Sequence, residues 1–451
     1  MQSAAIYTLG CKLNQAESAM LAEEFARRGF RVVPFGRPAD VVLVNTCTVT
    51  QRTDACARQA VRRALRECPE AVIVVAGCYA QRAPDEVACI PGVDLVLGAD
   101  AKFQLFDHLG KGKKRAFPLV VVAGEKREFV APCPGYAGQR TRAFLKVQDG
   151  CNARCSYCAV PLARGPARSA EPEDVLSRAG ELARRGYREV VLTGVHVGCY
   201  GRDLGKDIDL AVLLDRLCVA LPNVRIRLSS LECTEVTPPL VGVIRRHRQI
   251  CRHFHIPLQS GSDAILESMR RPYTAEDFLV CVEELHRHFP EASIGTDVIV
   301  GYPGETEEDF ARTVSILTKA PVTYLHVFRY SRRPETLAAH LHDNVSPQVK
   351  EQRSTVLRAL SSQRRMAFAR QFLGQTLPVL FERHADGWAM GLSDNYLRVR
   401  VPAEGAWLKN TVAPVRIEAL EDDGTLTGHA DVLSSNQERT PELKLAMATT
   451  L

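Results

Sequence analysis

The chain has 451 residues, of which 46% are hydrophobic and 24% charged, and a formal net charge of +6. That length exceeds one ordinary domain and suggests about three, and the composition is that of a globular protein rather than a fibrous or disordered one. No stretch supplies the roughly 18 consecutive apolar residues of a membrane span, and residues 1–7 lack a basic run followed by an apolar one, so neither a membrane nor a secretion route is expected and a cytoplasmic setting is. In a reducing compartment the 15 cysteines read as candidates for metal binding before disulfides. The modest positive charge permits an RNA partner without requiring one.

Residues 1–135 alternate strand-like and helix-like patterns. Buried strands are expected at 3–9, 41–45 and 71–76, with helices of amphipathic spacing at 14–29 and 50–67. Strand–helix alternation argues for an open parallel sheet covered by helices. The Pro/Gly-rich stretch 131–138 reads as a linker.

Residues 136–373 repeat the alternation at greater length, with strands expected at 143–148, 189–193, 224–228, 253–257, 294–299 and 323–328. Helices fall between them, for example at 172–185 and 307–319, and a long basic helix is expected at 349–373. Six such units suggest a full or partial parallel barrel, whose chemistry sits at the C-terminal strand ends. Residues 374–435 change character: short β-like runs at 376–381, 396–401 and 412–419 broken by Gly, Asp, Asn and Pro favour a small all-β barrel. Residues 436–451 read as a tail.

The sharpest motif is Gly150-Cys151-Asn152-Ala153-Arg154-Cys155-Ser156-Tyr157-Cys158, which spaces its cysteines as C-x3-C-x2-C directly after an expected strand. So short a loop can wrap three thiolates around one face of an iron–sulfur cube and leave the fourth iron open, much as catalytic zinc sites keep one exchangeable position. A zinc knuckle that borrows a fourth cysteine is the competing reading. A second constellation is spread along the chain. Cys11, Cys47 and Cys78 each follow an expected strand of the first segment through one residue, Gly10, Thr46 and Gly77. C-terminal strand ends of a parallel sheet line one edge, where such folds build their sites, so three thiols distant in sequence can converge. Each alone reads as a small buried residue; the three equivalent positions together point to a second cluster. Cys56, Cys68, Cys89, Cys133, Cys199, Cys218, Cys233, Cys251 and Cys281 follow no such pattern and read as structural.

The Cys151–Cys158 loop, with an aromatic before its last cysteine, resembles the radical S-adenosylmethionine (SAM) superfamily. That resemblance implies that Cys151, Cys155 and Cys158 hold a catalytic [4Fe-4S] cluster whose open iron binds SAM and cleaves it to a radical, with Tyr157 near the SAM adenine. With Gly10 to Ser18, Asn45-Thr46-Cys47, Gly77-Cys78-Tyr79-Ala80-Gln81, Cys158-Ala159-Val160-Pro161, Arg164-Gly165, His255 to Ser262 and Asp297 to Thr306 added, nearly the whole chain resembles the methylthiotransferase family. The resemblance implies a second [4Fe-4S] cluster on Cys11, Cys47 and Cys78. It further implies SAM contacts at Gly194 and Val195, where His196 reads equally as a structural histidine, and at Ser229 or Ser230 (or Glu232), with Gln259 and Asp297 facing the same cavity.

Within that family, Cys11-Lys12, Asn45 to Thr50 and Thr193-Gly194-Val195-His196 look most like the enzymes acting on threonylcarbamoyladenosine of tRNA. Isopentenyladenosine and an aspartate of a ribosomal protein are the alternative substrates, and a non-catalytic RNA-binding iron–sulfur protein is the alternative class. Arg332 stands where that group leads one to expect proline. The C-terminal module resembles the TRAM domain, a small RNA-binding barrel, with Arg383, Arg398, Arg400, Lys409, Trp388 and Tyr396 as candidate contacts and with Phe381 and Trp407 expected in the core. The implied partners are a tRNA anticodon stem–loop and an electron donor such as a flavodoxin or ferredoxin; the sulfur donor is not indicated.

Overall fold

A computed structural model describes residues 1–430 except 111–113, 123, 125–127, 132, 134–140, 206 and 403–407. Most of the expected linker, Trp407 and the expected tail lie outside the described residues. The chain divides into two compact units, Met1–Arg364 and Arg365–Leu451.

The first unit opens with a six-stranded parallel sheet in the order β2-β1-β3-β4-β5-β6. Its strands are β1 (Ser3–Thr8), β2 (Arg31–Val33), β3 (Val41–Thr46), β4 (Val72–Gly77), β5 (Leu95–Leu97) and β6 (Leu119–Val121). β3 and β4 are buried along their whole length, as strands covered on both faces must be. Helices α1 (Lys12–Arg27) and α2 (Gln51–Glu67) follow β1 and β3, and the short α3 (Cys78–Arg82) starts directly from β4. β2, β5 and β6, of three residues each, were too short to register as periodic patterns.

The same unit continues as a parallel array in two three-stranded sheets, in the orders β11-β10-β7 and β12-β13-β14. These strands are β7 (Arg142–Lys146), β10 (Glu189–Thr193), β11 (Arg225–Arg227), β12 (His253–His255), β13 (Ser293–Val300) and β14 (Tyr324–Arg329). A parallel bridge between Ile226 and Ile250 joins the two sheets, giving a partial barrel. A two-stranded ribbon, β8 (Gln148–Asp149) with β9 (Arg168–Ser169), flanks the first sheet. Helices pack outside around an apolar core that includes Leu145, Val190, Leu192, Phe254, Phe278 and Ile294. α1 packs against β7 and β10, so the first helix of the sheet domain also serves the barrel.

The second unit is a closed five-stranded barrel in the order β15-β16-β17-β19-β18. It comprises β15 (Thr376–Ala385), β16 (Trp388–Ser393), β17 (Arg398–Pro402), β18 (Val412–Leu420) and β19 (Leu426–Ala430). Phe381 is buried in its core beside Val379, Val399 and Val415, as expected. Trp388 lies instead near the surface under the Arg400 guanidinium, 4.5 Å from its ring centre.

Candidate active site

Three adjacent strands of the first sheet each end in a cysteine. Cys11 is the residue before α1, Cys47 follows β3, and Cys78 is the first residue of α3. β1, β3 and β4 are neighbours in register, so their ends deliver the three thiols to one edge. The approach is close. A Cβ built on Gly10, whose φ is +96°, would lie 2.6 Å from the Cys47 sulfur, which explains a glycine there. Cys47 and Cys78 are buried while Cys11 is open to the surface. Burial, reinforced by the other two sulfurs, pushes the Cys47 thiol up to about 12. Burial also raises Cys78, against the pull of Arg164 and Lys102.

The other triad lies in the loop after β8. Gly150 turns the chain at φ +67° and sits so tightly against the Pro166 carbonyl that a Cβ would meet it at 1.8 Å. Burial pushes Cys158 up to about 12, with the charges of Cys155 and Cys151 adding to the effect. Two side chains reach this loop from elsewhere in the barrel. Arg271 donates to the Cys155 sulfur at 3.1 Å and ion-pairs with Glu232. His196 Nδ1 lies 3.6 Å from the Cys151 sulfur. Its Nε2 lies 2.9 Å from Glu235, and Cys199, read from the sequence as structural, closes the group at 3.2 Å from the same carboxylate.

The two triads belong to one piece of structure. The short helix Val160–Arg164, which follows Cys158, packs against α3, which begins with Cys78. Arg164 ends that helix with its side chain 2% exposed. It donates to Glu17 at 2.9 Å, Asp149 at 3.0 Å and the Asn14 side chain at 2.7 Å. Glu17 also pairs with the buried Lys102 and Lys146, and Lys146 with Asp149 at 2.7 Å. These cations hold the Glu17 and Asp149 carboxyls far below the ordinary carboxylate range although burial works the other way. A second clamp comes from the loop after β14. Arg333, 2% exposed, donates to Asp54 at 2.6 Å and to the Thr48 carbonyl, one residue past Cys47. Arg332, at the departure from the expected proline, is exposed.

The other residues expected at the site are distributed around the barrel mouth. Gly194 packs on Gln148, whose side-chain oxygen accepts the His196 amide at 2.8 Å, and Val195 beside it is half-buried. The Ser229 hydroxyl donates to the Leu192 carbonyl at 2.8 Å, and Ser230 is exposed. Tyr157 packs with Ile265, Met269 and Tyr302. Gln259 takes φ +68° and donates its amide to the Asp297 carbonyl at 2.9 Å, while the Asp297 carboxylate receives His255 at 2.9 Å and His326 at 3.2 Å. Arg271 and Glu235 were not singled out in the sequence, and Arg333 reads there only as half of a basic pair with Arg332. Their partners lie 36 to 285 residues away, beyond any local pattern.

The donor chemistry fits iron–sulfur clusters. Each triad gathers three thiols; burial makes Cys47, Cys78 and Cys158 hard to ionise alone, and bound metal is what strips protons from such groups. Arg164 and Lys102 beside one triad, and Arg271 beside the other, would offset the negative charge of thiolates that held such clusters.

The comparisons agree with that chemistry. Residues 145–317 match the Radical SAM superfamily, and residues 3–98 match Uncharacterized protein family UPF0004. The chain is 40% identical over 408 residues to threonylcarbamoyladenosine tRNA methylthiotransferase MtaB of Bacillus subtilis, covering 88% of this chain and 90% of the relative. It is 34% identical over 440 residues to the protein of the same name from Thermotoga maritima (96% and 98%). It is 35% identical over 384 residues to tRNA-2-methylthio-N(6)-dimethylallyladenosine synthase of Moorella thermoacetica (84% and 86%). The radical SAM methyltransferase TsrM of Kitasatospora setae has a similar fold, with TM-score 0.54 at 17% identity over 86% of this chain and 77% of its own. The barrel, the two cysteine triads and this likeness along nearly the full length place the chain in the radical SAM methylthiotransferase family.

Proposed function

We propose that this enzyme attaches a methylthio group to carbon 2 of N6-threonylcarbamoyladenosine, 3′ to the anticodon of tRNA, using two SAM molecules and two [4Fe-4S] clusters. The observation that carries the reading is that both cysteine triads lie in one compact unit, where α3, which begins with Cys78, packs on the helix after Cys158 and Arg164 bonds to α1, which follows Cys11. Carbon 2 of adenine bears a hydrogen with no useful acidity and no leaving group. When bound, the clusters and SAM supply what the chain lacks: an electron for SAM cleavage, a radical and a site for sulfur.

The protein's own groups then bind, orient and exclude water. Arg271 and His196 hold the Cys155 and Cys151 sulfurs from outside the loop, as outer partners of metal ligands commonly do. Arg164 and Arg333 fix the sheet edge against the barrel, so what each triad would hold keeps a fixed place relative to the other. A base in a loop leaves its stack at a cost of a few kcal/mol. The C-terminal barrel would take the RNA backbone through Arg398 and Arg400 and offer Trp388 as a stacking face. A cytoplasmic setting and a flavodoxin- or ferredoxin-type electron donor go with this reading. We assign the cluster-bearing sheet to residues 1–135, the barrel to 136–373 and the RNA module to 374–435.

The relatives named for threonylcarbamoyladenosine support that substrate. Dimethylallyladenosine is the second reading, favoured by the Moorella relative. Anaerobic reconstitution with stem–loops carrying each nucleoside, followed by nucleoside mass spectrometry, separates the two. A 2-methylthio product from the threonylcarbamoyl stem–loop is expected; conversion of the dimethylallyl stem–loop alone would overturn the substrate assignment.

A further inference from the structure

The second barrel sheet carries a row of polar side chains on one face. β12, β13 and β14 pair in register, His255 beside Gly295, Gly295 beside Tyr324, and Asp297 beside His326. Side chains alternate across a strand. Phe254, Ile294, Val298, Val300 and Leu325 take one face and pack in the apolar core, so His255, Asp297, Tyr324 and His326 share the other. There two imidazoles meet one carboxylate oxygen. His255 Nε2 lies 2.9 Å from Asp297 Oδ1, and His326 Nδ1 lies 3.2 Å from the same atom. All three atoms fall within 4.8 Å of one another. Gly295 helps to set the arrangement: a Cβ there would lie 2.1 Å from the Tyr324 ring, so glycine admits that ring. The Tyr324 hydroxyl then stands 3.4 Å from His255 Nδ1, and the other nitrogen of that ring faces the carboxylate. His255 is buried, whereas the His326 side chain is 54% exposed, so the group opens to solvent at one end.

We propose that His255, Asp297 and His326 form a binding site for one divalent ion of the zinc class, in addition to the two cysteine triads. Two imidazoles and a carboxylate are a ligand set that first-row transition ions favour. Ligand atoms 2.0–2.2 Å from a tetrahedral ion stand about 3.4 Å apart. The observed 2.9 and 3.2 Å therefore need to open by only a few tenths of an ångström on the carboxylate side. His326, at the exposed end, is the ligand able to adjust. Without an ion, each imidazole must supply a proton to the one oxygen it faces; an ion between them takes over that role, since ligating histidines bind as the neutral base. Tyr324 would be the outer partner that orients His255, a part that metal-ligating histidines commonly have filled. Three protein ligands leave a position for water or for an oxygen of a bound molecule, as in open zinc sites. The inference does not depend on which adenosine is the substrate.

The test uses the full chain after anaerobic reconstitution, dialysed against micromolar zinc sulfate and then against metal-free buffer. Zinc, iron and sulfide per chain are measured for wild type, His326→Ala and Asp297→Asn. Wild type is expected to retain about one zinc more than either variant, with iron and sulfide equal in all three. Zinc could instead settle on some of the 15 cysteines, so zinc-edge X-ray absorption of the wild-type protein identifies the ligands. Nitrogen and oxygen neighbours at about 2.0–2.1 Å, with the outer-shell pattern of imidazole, are expected. Zinc retained equally by wild type and both variants would overturn the inference, as would no retained zinc in wild type. A first shell of sulfur at about 2.3 Å would overturn it too. The absorption spectrum needs only wild-type protein, so it decides the matter even where a variant disturbs the clusters.

Discussion

Arg164→Met is the substitution that bears most directly on how the two halves of the site are joined. Methionine keeps the length of the side chain and removes four hydrogen bonds: two to Glu17, one to Asp149 and one to Asn14. Removing one member of a buried charge group costs about 3–5 kcal/mol when the partner is left uncompensated. Neither carboxylate is abandoned here, because Glu17 keeps Lys102 and Lys146 while Asp149 keeps Lys146 and Arg168. The loss therefore belongs near the lower end, about 3 kcal/mol, with roughly 1 more for the orphaned Asn14 oxygen. For a unit the size of Met1–Arg364 that corresponds to a fall in Tm of about 5 °C, read by circular dichroism on the anaerobic protein. Arg164→Lys should recover little, since one ammonium cannot reach three acceptors in the fork geometry of a guanidinium. The pH dependence has a definite sign. Glu17 and Asp149 are held below their ordinary range, so their stabilisation is complete above about pH 4.5 and is lost as the pH falls further. The variant should show a shallower acid limb. A Tm within about 1 °C of wild type, with an unchanged acid limb, would refute the role given to this network.

Other outcomes follow from single contacts. Gly10→Ala puts a methyl group 2.3 Å from the Cys47 Cβ at a φ of +96°; the variant should lose about half its iron and all sulfur insertion while still cleaving SAM to 5′-deoxyadenosine. Arg333→Met leaves Asp54 with Arg82 and the Thr48 hydroxyl, each at 3.2 Å, and should raise the yield of 5′-deoxyadenosine per methylthiolated product by loosening the Cys47 edge from the barrel, at a stability cost of about 2–4 kcal/mol. Glu189 is lowered to about 2: burial opposes ionisation, but Arg227 and Arg225 outweigh it. Its contribution is full above about pH 4.5 and fades toward pH 2, so Glu189→Gln should be destabilised at neutral pH and nearly level with wild type in strong acid, as chemical denaturation across that range would register.

The parts of the site that are legible in the sequence are those whose partners are close along the chain or occupy equivalent places in a repeating pattern. Cys151, Cys155 and Cys158 declare themselves by spacing. Cys11, Cys47 and Cys78 do so because parallel strands bring their ends to one edge, and β1, β3 and β4 are adjacent as that argument needs. Arg164 and Glu17 were visible only as members of motifs. Their pairing across 147 residues carries no local signature, because it depends on how the sheet domain lies against the barrel. Cys199 shows the same limit. Nothing near it in sequence announces the Glu235 carboxylate 36 residues on, so a residue beside the radical loop read as ordinary packing. Ser229 adds a contact that its place at a strand end did not announce: its hydroxyl donates to the Leu192 carbonyl of the neighbouring strand.

The measurement that tests the central claim most directly is iron and sulfide per chain after full anaerobic reconstitution, taken for wild type, for Cys47→Ala and for Cys155→Ala. Two clusters on two triads predict about eight irons in wild type and about four in each variant, with 5′-deoxyadenosine still formed by Cys47→Ala and abolished in Cys155→Ala. About four irons in the wild-type chain, or full methylthio transfer by Cys47→Ala, would contradict the account.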